Sequence, residues 1–176
     1  MIGRRFICSL AAVLLLLAGS GAAEAAKPVP AELQIAGATL VLTTEAKGVQ
    51  IYKSVADADG HFKWMLEAPL ARLATRGKPA LYHYVGPSWE SPDGSKVVRD
   101  TDAPVKSVAA PDAAADIPWL LLKVTADPAP GVLSKVGFVQ RIETHGGQPP
   151  SAAPIRVDTR IGVPYTATYR FYAKAP

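Results

Sequence analysis

The chain has 176 residues, of which 49% are apolar and 19% charged, with a formal net charge of +4. So apolar a composition excludes a disordered tail and a coiled coil. A charge this small and this scattered gives no footprint for nucleic acid.

Arg4 and Arg5 open the chain, Phe6–Ala18 is an apolar run, and small residues follow from Gly19 to Ala26. A positive start, a short apolar stretch and the small-x-small triplet Ala23-Glu24-Ala25 describe a secretory signal peptide over 1–25, with cleavage after Ala25 or Ala23. The run is too short to span a bilayer, which takes about 20 residues of helix. Cys8, the chain's one cysteine, lies in this segment and lacks the small residues that precede a lipidated cysteine. The expected product is therefore exported, periplasmic or extracellular, with no membrane span after signal removal, no disulfide and no thiolate chemistry. Cutting after Ala25 leaves 151 residues, and losing Arg4, Arg5 and Glu24 takes 19 basic and 15 acidic residues to 17 and 14. That length suits a single domain, 26–176, with a core that needs no staples.

All 16 prolines and 11 of the 14 glycines (Gly3, Gly19 and Gly21 excepted) fall in that domain. Several helices of three turns or more are hard to place between them, whereas strands of five to seven residues fit well. In chain order the expected strands are 38–44, 49–55, 62–66, 80–85, 95–99, 117–124, 132–144, 155–161 and 165–172. Phe62, Trp64 and Leu66 alternate with polar or exposed-type neighbours, as do Ile155, Val157 and Ile161, and then Tyr165, Ala167, Tyr169 and Phe171. Each is the period-two pattern of a sheet with one buried face. Ile117–Val124 is apolar on both faces except at Lys123 and reads as a central strand, with a short buried helix as the rival. Gly137 inside 132–144 marks a bulge or bend. Asp57-Ala58-Asp59-Gly60 and Pro92-Asp93-Gly94 have the chemistry of tight turns, and 103–118 and 145–154 read as long Pro/Ala-rich loops. The fold class is all-β, a single-domain antiparallel β-sandwich or barrel with little helix.

The chemical motifs are weak. Asp57-x-Asp59-Gly60 resembles part of a calcium loop, but Val55 and Leu66 stand where ligands are required. Gly86-Pro87-Ser88-Trp89-Glu90 lacks the last glycine of a nucleophile elbow. No dinucleotide or phosphate loop and no metal motif occurs, so neither cofactor nor metal is expected. Functional residue types gather in two places: His83, Trp89, Glu90, Asp93 and Ser95, and then Gln140, Arg141 and His145 beside Gly146-Gly147. An aromatic platform next to imidazole, carboxylates and glycine turns suits a small polar molecule or a glycan. Against this, His83 shares a face with Leu81 and Val85 as a core histidine would, and the three tryptophans read as core. Arg141 and Glu143 project to one side of a strand as a solvated ion pair. Gln140, on the apolar face between Phe138 and Ile142, needs a partner and is either a structural cross-link or part of a pocket.

Gly48-Val49-Gln50-Ile51-Tyr52, Trp64, Ala68-Pro69, His83–Glu90, Asp93–Val97, Ile117-Pro118-Trp119-Leu120-Leu121, Val139–Ile142, Thr144–Gly147 and Val163–Ala167 occur in this order. Together they resemble the secreted domain-of-unknown-function family 3455 over about residues 33–172. The resemblance implies an exported single domain without an established activity. Some relatives carry a malate dehydrogenase label, which does not transfer, because nothing here resembles the βαβ unit of such an enzyme. It also implies two cysteine positions in many members, held here by Ser54 and by the Ser151–Pro154 stretch, and hence a less constrained loop at 146–160.

The functional expectation is an exported, monomeric binding or envelope-associated domain for a small molecule or glycan. The alternatives are a hydrolase using a buried carboxylate and a purely structural or interaction protein. Intact mass of the exported product is expected to place its first residue at Ala26 or Glu24; a retained apolar run or an attached lipid would refute the signal-peptide reading.

Overall fold

The computed structural model describes residues 28–173, so the expected signal peptide lies outside the described residues. A 3-10 turn, Ala31–Leu33, precedes nine strands. These are β1 (Thr39–Ala56), β2 (Phe62–Thr75), β3 (Lys78–Tyr84), β4 (Ser88–Glu90), β5 (Lys96–Arg99), β6 (Lys106–Val108), β7 (Trp119–Ala126), β8 (Val136–Gly146) and β9 (Arg160–Ala173). All pair antiparallel in the order β5-β4-β3-β2-β1-β9-β8-β7-β6, and β5 pairs again with β7. That last pairing closes eight strands into a barrel and leaves β6 as an extra strand on the edge of β7. The all-β expectation holds, and of its two architectures the chain adopts the barrel.

The closing seam is three residue pairs long: Val97–Ala126, Val98–Thr125 and Arg99–Val124. Backbone bonds extend it at both ends, from Asp100 N–H to Lys123 O and from Asp127 N–H to Lys96 O, each 2.9 Å. A Lys123–Asp100 ion pair of 2.8 Å brackets one end.

β1 fuses the two strands expected at 38–44 and 49–55; its residues 45–56 pair with β2 and its residues 39–53 with β9. Gly48 makes this continuity possible. A Cβ there would run into the Leu70 carbonyl oxygen and lie 2.5 Å from both Cα and Cβ of Ala71. Only a residue without a side chain lets two backbones approach so closely at a barrel bend.

Three expectations are corrected. In β2, Leu66 pairs with Tyr52 and Ala68 with Ile51, so Glu67 is an extra residue. One extra residue inverts the alternation: Leu66 is 51% exposed, and the buried face continues through Pro69, Ala71 and Leu73. The alternation at 155–161 does not make a strand. Ile155 is 91% exposed and lies in irregular chain, and β9 begins only at Arg160. The expected 132–144 strand starts four residues later, because 131–135 is a turn, with backbone bonds Ser134 N–H to Gly131 O and Val136 N–H to Leu133 O. The break in register at Gly137 does occur, Ile117–Val124 supplies strand rather than helix, and both Asp/Gly turns form.

Side chains pack on two sides of the barrel wall. Inside, Leu73, Leu81, Trp89, Val97, Val124, Val139, Tyr169 and Phe171 belong to the main core. Outside, Leu33 of the 3-10 turn, Ala110, Trp119, Leu121 and Ile142 form a smaller one. The loop before β9 is well tied. Ser54, almost fully buried, donates to Arg156 O at 2.6 Å and accepts from Thr159 N–H at 2.9 Å. Trp64 Nε1 donates to Ala152 O, and Tyr52 Oη to Gly147 O. Hydrogen bonds from Ser54 and to Ala152 fasten this segment, so the expected looseness of the 146–160 loop is not seen at these points.

Gly48→Ala is expected to lower stability by about 1–3 kcal/mol, the usual cost of forcing a methyl into filled space, read from urea midpoints. A neutral or stabilising effect, as strand propensity alone would give, contradicts the close-approach reading.

Candidate functional site inside the barrel

The inward rows of four strands change character in one two-residue step. Leu81 is followed by His83 on β3, Val97 by Arg99 on β5, Val139 by Arg141 on β8, and, running the other way, Phe171 by Tyr169 on β9. Because side chains at i and i+2 share a face, an apolar floor gives way to a polar layer inside one barrel. His83 and Trp89 are directly paired across β3 and β4, and their rings stack at 4.4 Å with planes 6° apart. Tyr169 meets both edge-on, at 5.4 and 6.0 Å. Arg141 pairs with Tyr169 on one side and with Leu120 on the other.

These groups line a cavity of about 240 Å³. Gln50, Pro69, Leu120 and Leu122 complete its walls, and Leu66, Pro87 and Val105 lie at its more exposed margin. Two guanidinium groups, Arg99 and Arg141, and no carboxylate are among the lining residues. Among the described residues neither arginine has an ion-pair partner. Arg141, nearly buried, is held by two bonds from Nε and Nη2 to Pro118 O, at 3.2 and 2.8 Å. Five buried side-chain atoms among the described residues have no hydrogen-bond partner, and three of them belong to residues that line this cavity: Gln50 Nε2, Trp89 Nε1 and Arg99 Nε. Each such group costs on the order of 1–3 kcal/mol when left unpaired.

His83 Nδ1 lies 2.9 Å from Ser88 O, which only accepts, so Nδ1 carries the proton of the neutral ring. Burial lowers its pKa to about 4; the hydrogen bond to the Ser88 carbonyl opposes this, and the Arg141 charge adds a smaller push downward. The imidazole is thus uncharged at neutral pH.

The residues singled out in the sequence divide. His83, Trp89 and Arg141 come together in the cavity; the others do not. Gln140 faces outward and is a cross-link, donating from Nε2 to Leu33 O at 2.7 Å. Glu90 accepts from Tyr84 Oη on the outer surface, beside Lys96, which lies 5.3 Å from the Tyr84 ring centre. Asp93 and Ser95 pin the turn before β8: Asp93 accepts from Ser95 Oγ and from Val132 N–H, and Ser95 Oγ accepts from Leu133 N–H. The hydrogen bond from the Ser95 hydroxyl, with those from the Val132 and Ser95 amides, holds the Asp93 carboxyl far below the usual range. His145 is largely exposed, 3.9 Å from Asp116. The Arg141–Glu143 ion pair does not form. A register break between Ile142 and His145 turns Glu143, at φ 50°, toward Thr168, whose hydroxyl donates to it at 2.7 Å, while Arg141 stays inside. Asp57, Asp59 and His61 cluster on the β1–β2 turn, but Asp57 Oδ1 is occupied by the amides of Asp59 and His61.

Gln50, Arg99 and Tyr169 went unnoticed as site residues. For Arg99 and Tyr169 the signal is the same two-residue step from apolar to polar on one strand face, which shows only when several strands are compared; Gln50, between Gly48 and Tyr52 on its face of β1, carries no such signal.

Fold and site thus define a closed antiparallel β-barrel with an electropositive, aromatic-walled interior cavity. The chain belongs to DUF3455, a family of proteins of unknown function, whose model matches residues 35–173. No curated protein and no solved structure matches it.

Between pH 6.5 and 4 the unfolded chain protonates His83 and the folded chain does not. Stability should therefore be full above pH 6.5 and fall on acidification, by on the order of 3 kcal/mol at pH 4. Urea midpoints of wild type and His83→Gln across this window check it: the variant should lack this part of the slope, and equal slopes would contradict the buried neutral imidazole.

Proposed function

We propose that this protein is an exported binding protein that carries a small molecule inside its barrel and does no covalent chemistry on it. An eight-stranded barrel has an interior just wide enough to be filled by side chains or to hold one small ligand. Here the apolar floor fills one part, and the cavity occupies another. The observation that carries the reading is that two cationic side chains, Arg99 and Arg141, line that cavity with no carboxylate among its walls. Three of its wall residues, Gln50, Trp89 and Arg99, also carry unpartnered buried donors, so this layer is rich in donors and holds no anion of its own.

A glycan shelf fits less well than an enclosed small molecule. Trp89 is 1% exposed and already stacked on His83, so its faces are not offered to a sugar at the surface. A hydrolase fits less well too, because Glu90 and Asp93 are committed outside the cavity and the Asp93 carboxyl is pushed toward the anion, away from a general acid.

Native mass spectrometry of the protein recovered from its own compartment tests this. Wild type should carry one small molecule per chain, and Leu120→Trp, which places an indole in the cavity, should retain at least about tenfold less. Identical, unliganded masses for both would contradict the proposal.

A further inference from the structure

Building on the binding reading above, we propose that the cavity takes a single-ring aromatic carboxylate, with its carboxylate received by Arg99 and Arg141. Charge is the first argument. Two permanent cations line one cavity with no carboxylate beside them. Arg141 is buried and Arg99 half-buried, so the pair favours an anion more strongly than two cations in open water would.

The second argument is the sign of the unmet hydrogen bonds. Gln50 Nε2, Trp89 Nε1 and Arg99 Nε are all donors. Their complement is a group that only accepts and that accepts several times. An ionised carboxylate, with two oxygens and about four lone-pair sites, is that group; an amine or ammonium compound is its opposite. Arginine also matches a carboxylate as a planar fork.

Size and wall chemistry supply the third. A dry cavity of about 150 Å³ accommodates benzene. At about 240 Å³ this one holds one ring with one or two small substituents. It has no room for a long acyl chain or a dinucleotide. Leu120, Leu122, Pro69 and the edge of Tyr169 offer a ring apolar and aromatic contact, which a small hydrated anion such as phosphate would not use.

The test is 1H–15N NMR on protein unfolded in urea, washed and refolded, titrated with benzoate, benzyl alcohol and inorganic phosphate. Benzoate should bind one per chain and move the Trp89 indole N–H and the Arg99 Nε–H. The Trp119 indole N–H, also unpartnered but in the outer core, should stay still. Benzyl alcohol and phosphate should each bind at least about tenfold more weakly. Arg99→Gln and Arg141→Gln should each weaken benzoate at least about tenfold, as loss of a charged hydrogen-bond partner does, and leave benzyl alcohol unchanged. Arg141 also supports Pro118, so Arg99→Gln decides if the other variant fails to fold. Equal affinity for benzyl alcohol overturns the anionic assignment, and equal affinity for phosphate overturns the aromatic one. No benzoate binding, with a native ligand still lost in Leu120→Trp, overturns the ligand class and leaves the binding reading standing. No benzoate binding and no native ligand overturns both.

Discussion

An inside exists in this protein because three residue pairs join β5 to β7. Without that short seam the nine strands would be an open, strongly curved sheet, and the polar row of His83, Arg99, Arg141 and Tyr169 would face water. With it, the same side chains are enclosed, and the cost of each unmatched donor or charge becomes a structural fact. Arg99 is itself a seam residue, opposite Val124, so the feature that closes the barrel also delivers one of its two interior cations.

Enclosure accounts for the chemistry of the site. His83 is neutral because desolvation and the Arg141 charge both oppose its protonation. Arg141 is steadied by a carbonyl oxygen, which orients the guanidinium without cancelling its charge. The carboxylates that might have neutralised the interior are used elsewhere, in turns and on the outer wall. A barrel built for stability alone would fill this layer with aliphatic side chains, as it does one step below at Leu81, Val97, Val139 and Phe171. Departure from that rule at one level, on four strands, is where a site is to be sought.

The fold class was legible because proline and glycine spacing leaves little room for helices and β9 alternates cleanly along Tyr165, Ala167, Tyr169 and Phe171. Register was not legible. The extra residue at Glu67 inverts the faces of β2, and a period-two pattern cannot announce its own interruption. Ile155 and Val157 alternate as well as a true strand does, but no neighbouring strand pairs with them there. Of the site, His83 and Trp89 were visible as unusual residue types near turns. Arg141 was visible and misread, because the break that turns Glu143 away from it depends on pairing with β9. Arg99 and Gln50 give no sign in their own strands, where one polar residue beside Val97 or between Gly48 and Tyr52 does not say which face is enclosed. Closure of the ring puts their face inside.

Arg99 is the most direct measure of the account. If it is kept for a ligand, its charge and its unpartnered Nε burden the ligand-free barrel, and removing them should relieve it. Urea unfolding of ligand-free Arg99→Met is therefore expected to give a midpoint at or above that of ligand-free wild type. A midpoint lower by the equivalent of more than about 1 kcal/mol, beyond the scatter of ordinary surface changes, would show Arg99 to be part of the scaffold and contradict the claim that this interior is organised around an anion.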